Sequence, residues 1–423
     1  MRRNKDLLTI YIISIILSLV LFMGWRVIEL PDSPSYIQAS HIFLSGKIDS
    51  LRTPTYPLII GICNVIFGEN IYKDVVIILQ YISYLISIAF FYKLVLEFIK
   101  KPNLCFWLTL FYAIFSAISG WNNCILTESF AITGSVFLLY SSTGLYKRFS
   151  IEYVFSFLFW FLFLLFLRPS FLYLLPVFFV FWISCLFARQ HRRNAFAGLL
   201  VTLTVLFSQL CYISQFKNTY GVFSPSAVST INNYYIERQY GLIYTDGIKN
   251  GDLKEDIKRS IFINGVSTDN HSLLWNETNE LINKYSLKEV QQVVSISLKK
   301  NPIGFLKGAG GRAYKASRFP ISISPLRGLS TLLDLIGANI GFLYLFLIAY
   351  AVIIVYWVYH QREMAYISML FFMIGASNLI SVIVFAQQEW SRLILPSMPI
   401  YILMFGQLCC ILKINSPSKV EFD

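Results

Sequence analysis

The feature that most limits what this chain can fold into is a series of long apolar runs, repeated from one end to the other. They lie at 7–23, 74–98, 104–120, 125–145, 152–167, 170–188, 196–215, 332–358, 364–386 and 393–412. At about 1.5 Å per helical residue, runs of this kind suit the roughly 30 Å hydrocarbon core of a bilayer. Hydrophobic residues make up 56% of the chain and charged ones only 14%. A water-soluble domain has too little interior to hide that much apolar surface. The class is therefore an all-α polytopic membrane protein.

The connections between the runs set the orientation, because Lys and Arg collect on the cytoplasmic side. Arg2, Arg3 and Lys5 precede the first run, which reads as a retained anchor with its N-terminus inside. Lys100 and Lys101 then fall inside, as do Lys147 and Arg148, and Arg189, Arg192 and Arg193. The turns between them are poor in positive charge: 120–123 has none, and the turn after Leu167 has only Arg168. With 360–362 inside, 387–392 outside and 413–423 inside, the sequence predicts ten spans and two cytoplasmic ends. Much of the net charge of +12 is this topological bias. No basic stripe with stacking aromatics stands apart from the spans, so nucleic acid is not an expected partner.

Two outer stretches interrupt the series. The first, 26–73, contains an apolar segment at 56–67 that is too short to span and reads as a helix lying in the interface. The second, 217–327, is polar, with 15 cations and 9 anions. Segments of that length cross regardless of charge. Helices are predicted there over 252–263 and 286–300, the second with Ser286 as N-cap. The chain thus divides into an N-terminal transmembrane module at 1–215, an outer loop at 216–330 and a C-terminal module at 331–423. Seven cysteines and four histidines are scattered without zinc-site spacing.

The residues with chemical promise gather on the outer side of this topology. The stretch 31–61 reads PDSPSYIQASHIFLSGKIDSLRTPTYPLIIG. Asp32 sits at a hydrocarbon boundary, where an unpaired charge is costly, and Arg52 is a cation able to fold back toward it. The plainer reading is an ordinary loop with a solvated Asp. Glu128 follows in LTES, Arg168 opens RPSFLYLLP, and Glu389 and Arg392 belong to EWSRLILPSMP. Lys315 and Arg318 come after a glycine-rich 308–311 that lacks the phosphate-loop pattern. A basic segment before a span is usually a headgroup anchor, with donor phosphate as the other reading. No ionisable residue is expected at mid-membrane, where transporters keep theirs.

Asp32, then Tyr36, then Arg52–Pro54–Tyr56–Pro57, followed in order by the three later motifs, resemble membrane-embedded GT-C glycosyltransferases. The likeness is to the protein O-mannosyltransferase-like and aminoarabinose transferase-like enzymes of glycosyltransferase family 39. It implies a GT-C fold of about ten transmembrane helices, with an amphipathic first outer loop and one long outer loop. It also implies an enzyme that moves a hexosyl or pentosyl group from a polyprenyl-phosphate donor. The acceptor would be an envelope glycan, lipid or protein, reached on the extracytoplasmic face of the plasma membrane. On this resemblance Asp32 is the general base. Arg168, Arg392, Arg52, Lys315 and Arg318 are the candidates for donor phosphate. Tyr36, Tyr56, Glu128 and Glu389 are the candidates for acceptor or substrate. The family's Asp-Glu pair is missing, because Ser33 follows Asp32. That bears on a divalent metal ion, for which Asp32 and Glu128 are the candidate ligands.

Each residue keeps a plainer role beside this one. Arg168 suits an interfacial anchor, Arg392 an ion pair with Glu389, and Glu128 the positive end of a helix. Two other functions stand as alternatives: a lipid-linked glycan polymerase or ligase, and a non-enzymatic polysaccharide flippase or transporter. The early acid motif counts against the first. The lack of midplane charges and internal repeats counts against the second.

Overall fold

The computed structural model describes residues 2–268, 270–318, 340–360, 362–385 and 390–414. Helices run through all of these segments. Among the described residues there is no strand, only one parallel bridge between Ile28 and Cys124. A helix satisfies its own backbone in lipid, which is why the apolar runs take this form.

Helix α1 (Arg2–Trp25) leads into the first outer loop, which holds α2 (Ser33–Leu44) and α3 (Thr55–Phe67). Next come α4 (Tyr72–Phe98), α5 (Pro102–Ile114) and the short α6 (Ser116–Ser119). The bundle continues with α7 (Glu128–Lys147), α8 (Ile151–Leu167), α9 (Leu174–Leu186) and α10 (Arg192–Tyr220). A lobe follows, made of α11 (Val228–Gln239), α12 (Gly251–Asn264), α13 (His271–Tyr285), α14 (Leu287–Lys300) and α15 (Pro302–Arg318). The chain then returns as α16 (Ile340–His360), α17 (Arg362–Phe385), α18 (Trp390–Ile394) and α19 (Met398–Ile414).

The described part of the predicted apolar runs is helical except at Phe115, 125–127 and 187–188; residues 332–339 of the eighth and 386 of the ninth lie outside the described residues. Among the described residues, six helical stretches are long and apolar enough to cross a membrane, the first at Asn4–Trp25 and the last at Arg392–Leu412. A seventh results if Pro102–Ile114 and Ala117–Asn123, bent by 50°, form one broken span. The most buried helix, α7, does not meet that criterion, and its surroundings explain why. Seventeen of its 20 residues are buried, and it packs against both α4 and α8. A helix enclosed by others need not be apolar all round. Its Thr133, Ser135 and Ser141 hydroxyls return to carbonyls four residues back.

The break after α5 matters for the outer face. Phe115 is extended and ends that helix. The following turn at Gly120–Asn123 is wholly buried, as irregular backbone at membrane depth must be. Asn123 Nδ2 donates to the carbonyls of Leu21 (3.2 Å) and Arg26 (2.8 Å). The Ile28 amide donates to Asn123 (2.8 Å), and the Ile125 amide to Ile28 (3.1 Å). The first outer loop is thereby clasped to the segment that precedes α7.

Helix α3 is apolar on both faces, not amphipathic as expected of this loop. It buries Tyr56, Pro57, Ile60 and Cys63 and exposes Ile62, Val65, Ile66 and Phe67. In the lobe, both predicted helices are present, as α12 and α14, and Ser286 does cap the second by accepting from the Glu289 amide. Three more helices had no clear apolar signature. The inner stripe of α13 is Leu274, Thr278 and Leu281, with a polar residue at its centre. The glycine-rich 308–311 lies inside α15, so it is not a loop at all. A Cβ on Gly308 would come within 2.9 Å of the Tyr240 ring, which needs that gap. Arg312 is buried, and its Nη2 donates to the Val384 carbonyl (2.8 Å) in the last turn of α17. Burial pushes its guanidinium down to about 10.

The alternation of cationic turns generates a direct test of sidedness. Cysteines introduced at the exposed positions Lys147 and Lys249 should label oppositely with an impermeant maleimide applied to intact cells. Position 249 should react and position 147 should not; the reverse pattern would invert the topology.

Candidate functional site

Asp32 precedes the first turn of α2, where the helix end favours an ionised carboxylate. The next residue, Ser33, is fully buried, and its Oγ accepts from the Leu30 amide (2.9 Å). The position that carries Glu in the resembling family is therefore an inward-facing turn contact in this chain. Asp32 does not cap its helix. Its Oδ1 accepts from Arg52 Nη2 (2.9 Å) and its Oδ2 from Arg392 Nη2 (2.8 Å). The Arg52 side chain is fixed on two further sides. Its Nε donates to Ser35 Oγ (2.8 Å), and its guanidinium lies 4.1 Å from the centre of the Tyr36 ring.

Arg392 also reaches the second acid, with its Nε 2.9 Å from Glu128 Oε1. Glu128 opens α7 and is completely buried. Its other partner is Arg168, whose Nη2 donates to Glu128 Oε1 and whose Nε donates to Thr127 Oγ1. Arg168 is only 6% exposed and sits where α8 ends and a short 3-10 turn begins. The result is a row of alternating sign: Arg52, Asp32, Arg392, Glu128, Arg168. It draws on the outer loop, the start of α7, the end of α8 and α18, and three arginines against two acids leave one net positive charge.

Exposure divides this row. The side chain of Asp32 is 29% exposed, Arg52 14% and Arg392 16%, while Glu128 is sealed. The Asp32 end is thus the part of the row open to solvent, and the Glu128–Arg168 end is its buried foundation. Burial alone would raise the Asp32 pKa. The Arg52 and Arg392 guanidiniums outweigh it and hold the carboxyl below its ordinary value.

The expected site residues fall as follows. Asp32, Arg52, Arg392, Arg168 and Glu128 converge, and Tyr36 lies against Arg52. Tyr56 is fully buried and reaches the site only through the edge of its ring on Tyr36, at 5.3 Å. That depth puts it behind the site instead of at a substrate-facing surface. Arg168 and Glu128 do not reach solvent as anchors would, because each takes up the other's charge. The expected pairing of Arg392 with Glu389 cannot be placed, since Glu389 lies outside the described residues, and Arg392 meets Asp32 and Glu128 instead. Lys315 and Arg318 stand at the end of α15, and their side chains also lie outside the described ones. Ser35 and Thr127, both hydroxyl partners of site arginines, were not singled out in the sequence, although each lies inside a stretch that was.

A divalent cation fits this arrangement poorly. Each carboxylate is already ion-paired to two guanidiniums, which a metal ion would have to displace. Among the described residues no group of three or more His, Cys, Asp or Glu is set to hold one.

No protein-family model matches the chain, and no curated protein matches it. Solved structures do. One is the archaeal oligosaccharyltransferase AglB from Archaeoglobus fulgidus in complex with an inhibitory peptide and a dolichol-phosphate, at 14% identity and a TM-score of 0.52. Another is an oligosaccharyltransferase of the same organism tethered to an acceptor peptide containing the NVT sequon, at 12% identity and a TM-score of 0.51. Each match covers 96% of this chain and 50% of the other, so the chain spans about half the length of these neighbours. At this identity the likeness is one of fold.

The alternating row predicts unequal costs for removing its members. Arg168→Ala leaves Glu128 buried beside a vacancy and should cost about 3–5 kcal/mol, seen as a large fall in the thermal midpoint of the detergent-solubilised protein. Arg52→Ala should cost much less, because Asp32 is partly exposed and retains Arg392.

Proposed function

We propose that the protein is a GT-C glycosyltransferase of the family 39-like kind, moving a sugar from a polyprenyl-phosphate donor to an envelope acceptor on the outer membrane face. One observation carries the reading: Asp32 and two arginines, all partly exposed, converge on one point within a GT-C fold. A sugar joined to a lipid through a single phosphate carries one negative charge, which the single excess positive charge of the row would neutralise. The dolichol-phosphate in the first of the neighbours above is a lipid phosphate without a sugar, the kind of group that would leave in such a transfer.

The chemistry follows from the pairing. The donor phosphate approaches Arg52 and Arg392, whose planar forks suit its oxygens. As it draws on their charge, their hold on Asp32 weakens and the carboxylate becomes a better proton acceptor. The acceptor oxygen bonds to the anomeric carbon as the bond from that carbon to the phosphate oxygen breaks. The bonding pair leaves with the lipid phosphate, which the arginines stabilise, and the acceptor proton passes to an Asp32 oxygen. Attack opposite the leaving group inverts the anomeric centre. Glu128 and Arg168 take no part in proton transfer; they fix Arg392.

A panel of polyprenyl-phosphate sugars, incubated with purified protein, tests the reading by donor consumption. Consumption of none of them would refute it. With an active donor in hand, Asp32→Asn should lower transfer about 100- to 10,000-fold while donor binding persists, since Asn keeps the shape but takes up no proton near neutrality. Arg392→Ala should weaken donor use about 10- to 100-fold, the scale of one charge-assisted contact.

The pH profile is a separate check. In the free enzyme Asp32 is ionised down to below pH ~4, its ordinary range, because its pKa is lowered. Transfer under kcat/KM conditions should therefore show no Asp32 limb between pH 7 and ~4. In Arg52→Ala the acid limb should move upward. The stability that the same carboxylate contributes is present above its unfolded pKa and is lost as pH falls through the lowered folded one.

A further inference from the structure

Gln80 lies within α4 and is fully buried, flanked by Val76, Ile77 and Tyr84. A carboxamide in such surroundings is costly unless its polar atoms are all engaged. Here they are. Both Nε2 protons are used, one toward the Asn122 carbonyl (2.9 Å) and one toward that of Cys124 (3.0 Å). Oε1 accepts from the Tyr56 hydroxyl (3.0 Å).

The two sides of this junction lead to different halves of the charged row. On one side, the Tyr56 ring meets Tyr36 edge-on at 86°, and Tyr36 carries the Arg52 guanidinium on its face. On the other, Asn122 Oδ1 accepts from Ser129 Oγ (2.6 Å), next in sequence to Glu128. We propose that Gln80 is a positioning residue for the reaction. It sets the register between the outer loop that carries Arg52 and the buried turn that leads to Glu128. The proposal rests on the reading above that Arg52 receives the donor phosphate.

Geometry makes this plausible as more than packing. An apolar side chain of similar volume would fill the space but leave the relative slide of α3 and the 122–124 turn unfixed. Displacements near 1 Å at a reacting centre cost on the order of 100-fold. Three directed hydrogen bonds remove that slide, and Gln80 does so without touching substrate.

The test uses Gln80→Leu and, because that variant removes three hydrogen bonds at once, also Tyr56→Phe, which removes a single hydroxyl and keeps the ring. Gln80→Leu should raise the donor KM about 10- to 100-fold with a smaller change in kcat, and Tyr56→Phe should do the same more mildly. Each should have little further effect on donor KM in an Arg52→Ala background, since both act through Arg52. Full additivity with Arg52→Ala, or a donor KM unchanged in both variants, would overturn the proposal. A readout that does not need turnover separates it from the functional reading. Amide hydrogen exchange should rise together at 51–53 and 123–125 in both variants while α7 and α8 keep their protection. If wild-type protein consumed no donor, the functional reading would fail, and the exchange pattern would still decide whether Gln80 sets the register. Exchange unchanged at both segments, or raised throughout the bundle, would refute that as well.

Discussion

Charge taken out of water is the constraint on which the rest of this structure depends. Glu128 is sealed at the head of the central helix, and an isolated carboxylate there would cost several kcal/mol. Arg168 and Arg392 offset that cost, and Arg392 in turn meets Asp32, which Arg52 completes. Because each member compensates the next, four distant parts of the chain must come to one place together. The row is thus a tertiary restraint as well as a site.

The same restraint explains why much of the architecture could be read in the sequence. Apolar runs announce helices in lipid, so the helical bundle was legible from periodicity, while its direction in the membrane rests on the cationic turns as an expectation. The convergence of Asp32, Arg52, Glu128, Arg168 and Arg392 was legible only as a shared face, since spacing along a chain does not say which arginine meets which acid. The resemblance supplied their company. Tyr56, a substrate candidate on that resemblance, is fully buried behind Tyr36. The glycines at 308–311, which lack the phosphate-loop pattern, serve a helix that comes close to Tyr240.

What stayed out of reach has a common physical cause. The lobe helices α11, α13 and α15 bury mixed stripes, with Thr278 or Arg238 standing where an apolar residue would give a clear period. Gln80 was overlooked for the opposite reason: it sits inside a run so apolar that one amide does not disturb the pattern. Yet a lone carboxamide in such a run is the kind of exception that asks for partners. Ser35 and Thr127 act through hydroxyls beside larger charges, and sequence gives hydroxyls little weight.

The grip of Arg312 on the Val384 carbonyl has a mechanical side. Val384 is near the end of α17, and the chain reappears soon after as α18, on which Arg392 is carried. The lobe therefore holds the helix that precedes the one carrying Arg392. A load applied to α15 would be borne first by α17.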